Sequence, residues 1–224
     1  MSTTETSIDE QEAPPAGPGV RWKRFAGMLG VTGALAAGLV FLTAQGVLAS
    51  AFSISGMPFV VTADRLYGDG FEQFATIDNM TEDSPNAGDT GGQVVVIVSA
   101  IDQAQLTKLC QSVSLGGKYL KITAGDGKDK VAAKTLVVDS DLISGDATFN
   151  KIKIGQDSST FNGSDNPDGS KQVDQVPGVN GGEGVFGQQA ETVEILNLRQ
   201  NNYATTAATF KLPHLRMTFT DDGC

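Results

Sequence analysis

The sequence predicts a mainly β (β-rich α+β) domain, with antiparallel sheets in a sandwich- or barrel-like arrangement, one short helix and a preceding N-terminal hydrophobic helix. Apolar and polar residues alternate with a period of two in many segments, which is typical of half-buried strands. The chain contains 27 glycines and is only 19% charged, a composition that favours strands and tight turns. About 174 residues follow the hydrophobic segment, enough for one domain with its own core.

Residues 1–20 are predicted to form a disordered cytoplasmic tail. They combine serine, threonine and acidic residues with Pro14, Pro15 and Pro18, so they have little apolar surface to bury.

Residues 21–50 are predicted to form a signal peptide or a transmembrane anchor. The run from Phe25 to Ser50 is uncharged and long enough for a bilayer, which needs ~20 apolar residues, and basic residues precede it. Ala49-Ser50-Ala51 resembles a cleavage site and slightly favours a cleaved signal. Both alternatives make residues 51–224 an exported domain that is extracytoplasmic, either membrane-anchored or secreted.

Alternation begins at Phe59–Val61 and resumes at Phe71–Ile77, after a predicted turn at Gly68–Gly70. Asn79–Gly92 is polar and rich in Asp, Gly and Pro, which predicts a loop. Gln93–Ala100 is a nearly continuous apolar run, which predicts a central strand covered on both faces.

One segment has helical spacing. Apolar residues recur at Ile101, Leu106, Leu109 and Val113, and Ser99 stands where a helix N-cap would, with Asp102 three residues later. The pattern predicts the single helix of the domain over residues 101–113.

The second half of the domain returns to the alternation that predicts strands. The predicted strands are Tyr119–Ala124, Val131–Asp139, Ala147–Ile154, Thr192–Leu198, Ala204–Leu212 and Leu215–Thr220. Between them, Gln156–Gly187 is unusually long for a loop in a compact domain, which predicts a functional or disordered surface element.

The chain has two cysteines, Cys110 and Cys224, and both lie in the predicted exported part. In an oxidising compartment such a pair most often forms a disulfide, here closing a loop of more than a hundred residues. A free buried thiol at Cys110 and an intermolecular bridge through Cys224 are the alternatives.

No cofactor or metal site is predicted. Gly182–Gly187 matches G-x-G-x-x-G, but neither a strand before it nor a helix after it is indicated. Ser164–Gly169 begins like a calcium loop, yet Gln175 stands where a bidentate glutamate is required. Looser calcium sites, from Asp165 and Asp168 or from Asp126 and Asp129, stay open. The formal charge of −10 disfavours nucleic acid as a partner.

No catalytic residue is predicted either. A Ser-His-Asp triad would have to use His214, the only histidine of the chain, and no G-x-S-x-G motif accompanies it. His214 lies in a short break between two predicted strands, where a turn residue is the simpler interpretation.

Several stretches resemble a family of exported actinobacterial proteins, of the streptomycete type, that has no established function. They are Trp22–Phe25, Ala51–Gly56, Thr62–Phe71, Leu109–Val113, Asp146–Phe149, Gly187–Ala190, Ala204–Ala207 and Phe210–Leu212. Some members of that family carry the label cholesterol esterase, but the family pattern contributes no catalytic motif. The resemblance implies export and the cysteine pair and leaves activity open.

These observations predict a non-catalytic exported cell-envelope protein. Its expected partners are the membrane, through the N-terminal segment, and a lipid-like or other apolar ligand or an envelope protein. The alternative is a lipid or sterol ester hydrolase that uses His214.

Overall fold

In the computed structural model, the structure describes residues 52–126, 128–163, 168 and 173–224. The predictions for residues 1–20 and 21–50 lie outside this part. The strands are β1 (Phe59–Asn79), β2 (Gln93–Thr107), β3 (Leu109–Ser114), β4 (Tyr119–Ala124), β5 (Val131–Asn150), β6 (Lys153–Asp157), β7 (Phe186–Thr206), β8 (Thr209–Lys211) and β9 (Arg216–Thr220). Two short 3-10 segments, Gly88–Thr90 and Ser158–Asn162, complete the regular structure. Among these described residues, no helix has both the length and the apolar character needed to cross a membrane.

The nine strands form one antiparallel sheet that closes on itself. β1 pairs with β2, β2 with β5, β5 with β7, and β7 returns to pair with β1. β3 continues the line of β2 along β1 and carries β4 and then β9, so these three short strands form a wing beside the closed part. The prediction of a β-rich domain with antiparallel sheets is confirmed.

The long strands are bent at two levels by residues with left-handed backbone conformation. At the first level, Asp64 of β1 lies between Lys108 (φ 53°) and Asn197 (φ 54°) on the neighbouring strands. The Lys108 ammonium also contacts the Asp64 carboxylate at 2.6 Å. A left-handed residue interrupts the extended backbone and redirects the strand, while the register of the ladders stays the same on both sides of Asp64.

The second level is centred on Asp102 of β2, which lies between Gly70 (φ 68°) of β1 and Thr135 (φ 46°) of β5. Gly70 cannot carry a side chain here, because a Cβ would lie 2.2 Å from the Gln175 carbonyl oxygen. Its positive φ adds a second reason for glycine.

At each bend, the alternation of core-facing and outward-facing side chains shifts by one residue. The two core-facing residues on either side of a bend are therefore three positions apart in sequence instead of two. The pairs that span the bends are Ala63 and Leu66, Ile101 and Ala104, Leu106 and Leu109, Ala133 and Leu136, and Ile195 and Leu198, all buried in one cluster. The same face of each strand therefore follows the core around the closed sheet.

The helix predicted over residues 101–113 is wrong, because this segment forms the end of β2 and β3. The bends at Asp102 and Lys108 produce the three-residue spacings that imitate a helix. The turn predicted at Gly68–Gly70 is also wrong, because β1 runs through it.

The other strand predictions are confirmed in position but differ at their ends. Gln93–Ala100 lies in β2, but the prediction that both of its faces are covered is wrong, because Val95 is 70% exposed. β5 continues past Asp139 to Asn150, and β7 begins at Phe186 and ends at Thr206, where two separate strands were predicted. The loop predicted at residues 79–92 is confirmed from Met80 onward, where Met80 forms a bridge with Ile54 and Gly88–Thr90 form a short 3-10 turn.

A second apolar cluster lies on the outer face of the sheet and is covered by the segment predicted as a long loop. Within its described part, Phe161, Val176 and Val179 are buried against Phe74 and Val98 of the sheet. These parts of the segment are packed, and we call residues 158–163 and 173–185 the flap.

The predicted disulfide is supported, since the sulfur atoms of Cys110 and Cys224 lie 2.07 Å apart. Next to it, the Cys224 backbone N–H donates to the Ser112 hydroxyl at 2.8 Å, and Arg199 donates to the Cys224 carbonyl at 3.1 Å. The bridge therefore holds the segment after β9 against the polar face of the wing.

Reduction of this bridge is expected to lower the melting temperature. A disulfide that closes a loop with a sequence separation of 114 contributes about 4–5 kcal/mol in the chain-entropy model, or about 10 °C for a domain of this size. Calorimetry with and without reductant measures the shift. The double variant Cys110→Ser/Cys224→Ser is the control and should melt at the same temperature in both conditions; an unchanged melt of the native chain would contradict the assignment.

Candidate functional site

A crevice of about 260 Å³ opens on the inner face of the sheet, between β1, β2, β5 and β7. Its floor is buried and apolar and includes Leu66, Phe71 and Ile101. Its mouth is formed by exposed positions of β2 and β5, including Ile97 and Ala147. The remaining lining residues are Gln73, Ser99, Ile143, Ser144, Gly145, Phe149, Ile195 and Gln200.

The polar side chains at one side of the crevice are fixed by hydrogen bonds to each other. The Gln188 amide donates to the Gln73 carbonyl oxygen at 2.5 Å, and the Gln73 amide nitrogen donates to the Ser99 hydroxyl at 2.8 Å. This chain runs across three strands and holds Ser99 on the crevice wall.

Gln200 of β7 differs from these neighbours. It is only 6% exposed, it lines the crevice, and its side-chain amide has no hydrogen-bond partner among the described residues. A second, narrower cavity of about 30 Å³ adjoins it and shares Leu66, Ser99 and Ile101 with the crevice. The Gln200 amide is therefore available to hydrogen-bond a ligand that enters the crevice.

A further buried polar atom points to the same region. Asn202 lines the narrower cavity, is 1% exposed, and its side-chain oxygen has no hydrogen-bond partner within the described part of the chain. The crevice and the narrower cavity thus have mostly apolar walls, with the Gln200 amide shared by both and the unpaired Asn202 oxygen in the narrower one.

Among the residues that the structure describes, no ionisable side chain lines the crevice. A buried charge without a partner is strongly unfavourable, so the lining suits an uncharged ligand. The arrangement therefore fits a small molecule with an apolar body and a neutral polar group.

His214 lies on the loop between β8 and β9, away from the crevice lining. Its Nδ1 lies 3.0 Å from an Asp126 carboxylate oxygen and its Nε2 lies 3.7 Å from one of Asp129. No serine or cysteine of the described chain hydrogen-bonds to this imidazole, so the geometry supplies no nucleophile for it to activate.

Within the described residues, no group of three or more His, Cys, Asp or Glu side chains is arranged to hold a metal ion. Asp126 and Asp129 instead contact His214, and Asp165 lies outside the described part. The stretch Gly182–Gly187 leads into β7 and is held as a turn, because Asp157 accepts a hydrogen bond from the Gly184 N–H at 2.8 Å.

With this geometry established, comparison with known proteins identifies the family. The chain belongs to DUF6230. This is a family of unknown function, and its profile matches residues 55–224. No curated protein and no solved structure matches the chain. This agrees with the resemblance to a family that has no established function.

Sequence reasoning did not single out the crevice residues. Ser99 was interpreted as a helix cap, but it lies inside β2 and faces the core. Gln200 follows the buried Leu198 by two residues, so a polar residue at a core-facing position was the available signal. This signal can be used only if it is known which residues of β7 face the core beyond Asn197.

On the opposite face of the sheet, Glu72 is completely buried under the flap. Its Oε1 accepts a hydrogen bond from the Gln175 N–H at 3.0 Å, while its Oε2 has no partner among the residues that the structure describes. Burial raises the pKa of Glu72 to about 8, and the negative charge of Asp174 adds to the increase. The carboxyl group is therefore neutral when the flap is closed at neutral pH.

The substitution Glu72→Gln is expected to stabilise the protein at pH 8 and to change it little at pH 5. Because the pKa of Glu72 is higher in the folded state, its contribution to the free energy of unfolding is full below about 4.5 and is lost as the pH rises through 8. Melting temperatures of both proteins across this range should diverge by about 5–10 °C at the upper end.

Asp139→Asn is the comparison variant for this experiment. Burial and the nearby Asp78 raise the pKa of Asp139 to about 7. The contribution of Asp139 to the free energy of unfolding is therefore also lost as the pH rises, and the loss is complete about one pH unit lower than for Glu72. Parallel melting curves for the native protein and Glu72→Gln would contradict the neutral carboxyl under the flap.

Proposed function

We propose that this DUF6230 member is a non-catalytic, exported cell-envelope protein that binds a small, neutral, lipid-like molecule in the crevice on the inner face of its sheet. The observation that carries the proposal is an apolar crevice of about 260 Å³, whose lining includes the uncharged amide of Gln200.

The size of the crevice limits the ligand. A volume of about 260 Å³ equals the share of roughly nine water molecules in the liquid and lies just below the usual range of small-molecule sites. The crevice suits a medium-length acyl or isoprenoid chain, or one end of a longer lipid whose remainder passes the exposed mouth at Ile97 and Ala147.

The residues that line the crevice determine the orientation of the ligand. Contact with Leu66, Phe71 and Ile101 would stabilise the bound ligand by about 25 cal/mol for each Å² of its apolar surface that is removed from water. The Gln200 amide both donates and accepts hydrogen bonds, so it suits an alcohol, ester or amide group. A carboxylate fits less well, because no cation lines the crevice.

The proposed location is supported by the sequence. The basic residues Arg21, Lys23 and Arg24 precede the uncharged run Phe25–Ser50, which is the arrangement of a signal peptide or an anchor with the domain on the outer side. The Cys110–Cys224 pair fits an oxidising compartment. The membrane is then the nearest source of a lipid-like ligand, and an actinobacterial envelope is the setting that the resemblance implies.

Binding can be tested with the neutral fluorescent probe N-phenyl-1-naphthylamine. The probe should bind, and 1-decanol should displace it more effectively than decanoate, since the crevice offers an amide but no cation. Gln200→Leu should weaken the displacement of the probe by decanol about tenfold, because one hydrogen bond to the ligand is lost. Displacement of the probe by decane, which forms no hydrogen bond, should be unchanged. Equal potency of decanol and decanoate would contradict the proposed site.

A matched pair of variants locates the binding. Ala147→Phe places a large ring at the mouth of the crevice and should abolish probe binding, whereas Thr148→Phe, on the next residue of β5 and outside the lining, should not. Organic extraction of the native protein followed by mass spectrometry would identify a natural ligand.

The hydrolase alternative requires a separate assay. Turnover of short- or long-chain acyl esters by the purified protein that disappears in His214→Ala would overturn the non-catalytic assignment.

A further inference from the structure

β9 is an open edge of the sheet. It pairs with β4 on one side, and no described strand pairs with its other side. Its side chains on one face are large, apolar and exposed: Met217 is 57% and Phe219 68% accessible to solvent. Leu215, just before the strand, is exposed in the same way.

These side chains extend the inner face of the sheet outward along the wing. Phe219 lies opposite Leu120 of β4, which lies opposite Val113 of β3, and Val113 lies opposite Phe59 of β1. Phe59 packs against the main core. The apolar surface at β9 is thus continuous with the core and stays uncovered in the described residues.

The β6 edge of the sheet is more strongly protected against pairing than β9, in which Arg216 is the single charged residue. β6 carries Lys153 and a register shift between Ile154 and Gln156, at Gly155, which are devices that discourage a neighbouring strand. β9 contains neither a bulge, a proline nor a lysine, and the five residues Arg216–Thr220 pair regularly with β4.

We propose that β9 pairs antiparallel with β9 of a second copy of this chain, about a two-fold axis at Thr218. In this register Met217 lies opposite Phe219 of the second copy, and Phe219 lies opposite Met217. A sulfur-aromatic contact forms twice, and both apolar rows join into one surface. The strand is self-complementary, as a two-fold interface requires.

The charges of the segment fit the same register. Arg216 lies opposite Thr220 of the second copy, and Asp222 of that copy follows two residues beyond. Neither Arg216 nor Asp222 forms an ion pair within the described residues, so the two can pair across the axis. The net charge of −10 on each chain repels a second copy at long range, so the association needs physiological salt to screen it.

Cysteine cross-linking of the full-length chain tests the register. Thr218→Cys places two cysteines opposite each other at the axis, within the distance that a disulfide spans. Thr220→Cys is the matched control on the same face, because its two copies would lie about 13 Å apart along the strands. Oxidation in expressing cells, before extraction, should give a covalent dimer with Thr218→Cys only. Equal cross-linking of both variants, or of neither, would overturn the proposal.

A second substitution tests the apolar contact itself. Adding Met217→Lys to Thr218→Cys should reduce the covalent dimer at least tenfold, while the melting temperature of the monomer stays within a few degrees, since Met217 is exposed in the single chain. Undiminished cross-linking would overturn the proposed pairing. Binding of the native, monomeric protein to phosphatidylcholine vesicles that is lost in Met217→Lys would assign this face to lipid instead and would equally overturn it.

Discussion

Left-handed backbone residues opposite Asp64 and Asp102 are the constraint on which the rest of the structure depends. A left-handed non-glycine residue costs about 1–2 kcal/mol, and Lys108, Thr135 and Asn197 each adopt this conformation inside or next to a strand. The cost is offset because the bends let four strands of 15 to 21 residues wrap around one apolar cluster. Straight strands of this length would diverge and leave the core-facing residues in water.

The same bends explain how far the sequence could predict the fold. Between bends the alternation is regular, and strands such as Tyr119–Ala124 and Arg216–Thr220 could be located from it. Across a bend the spacing of buried residues changes to three, so residues 101–113 resembled an amphipathic helix. Whether a lysine or asparagine adopts positive φ depends on its neighbours across the sheet, which a single sequence does not reveal.

The candidate site was less accessible from the sequence because it is made of ordinary residues brought together by closure. Gln73, Ser99 and Gln200 come from three strands and belong to no motif. The flap was equally hidden, since sparse apolar residues such as Phe161 and Val176 stand among glycines and polar residues. The cysteine pair, by contrast, could be predicted because two cysteines allow only one internal pairing.

The pairing of β1 with β7 has a consequence for the order of assembly. Residues around 59 to 74 find their partners around 187 to 202, so the ring of strands cannot close until most of the domain is available. Contacts this distant in sequence make folding slow and leave apolar strands uncovered in the meantime. A polypeptide of this topology stays incompletely folded until its synthesis is nearly finished, and its apolar strands are exposed to aggregation during that time.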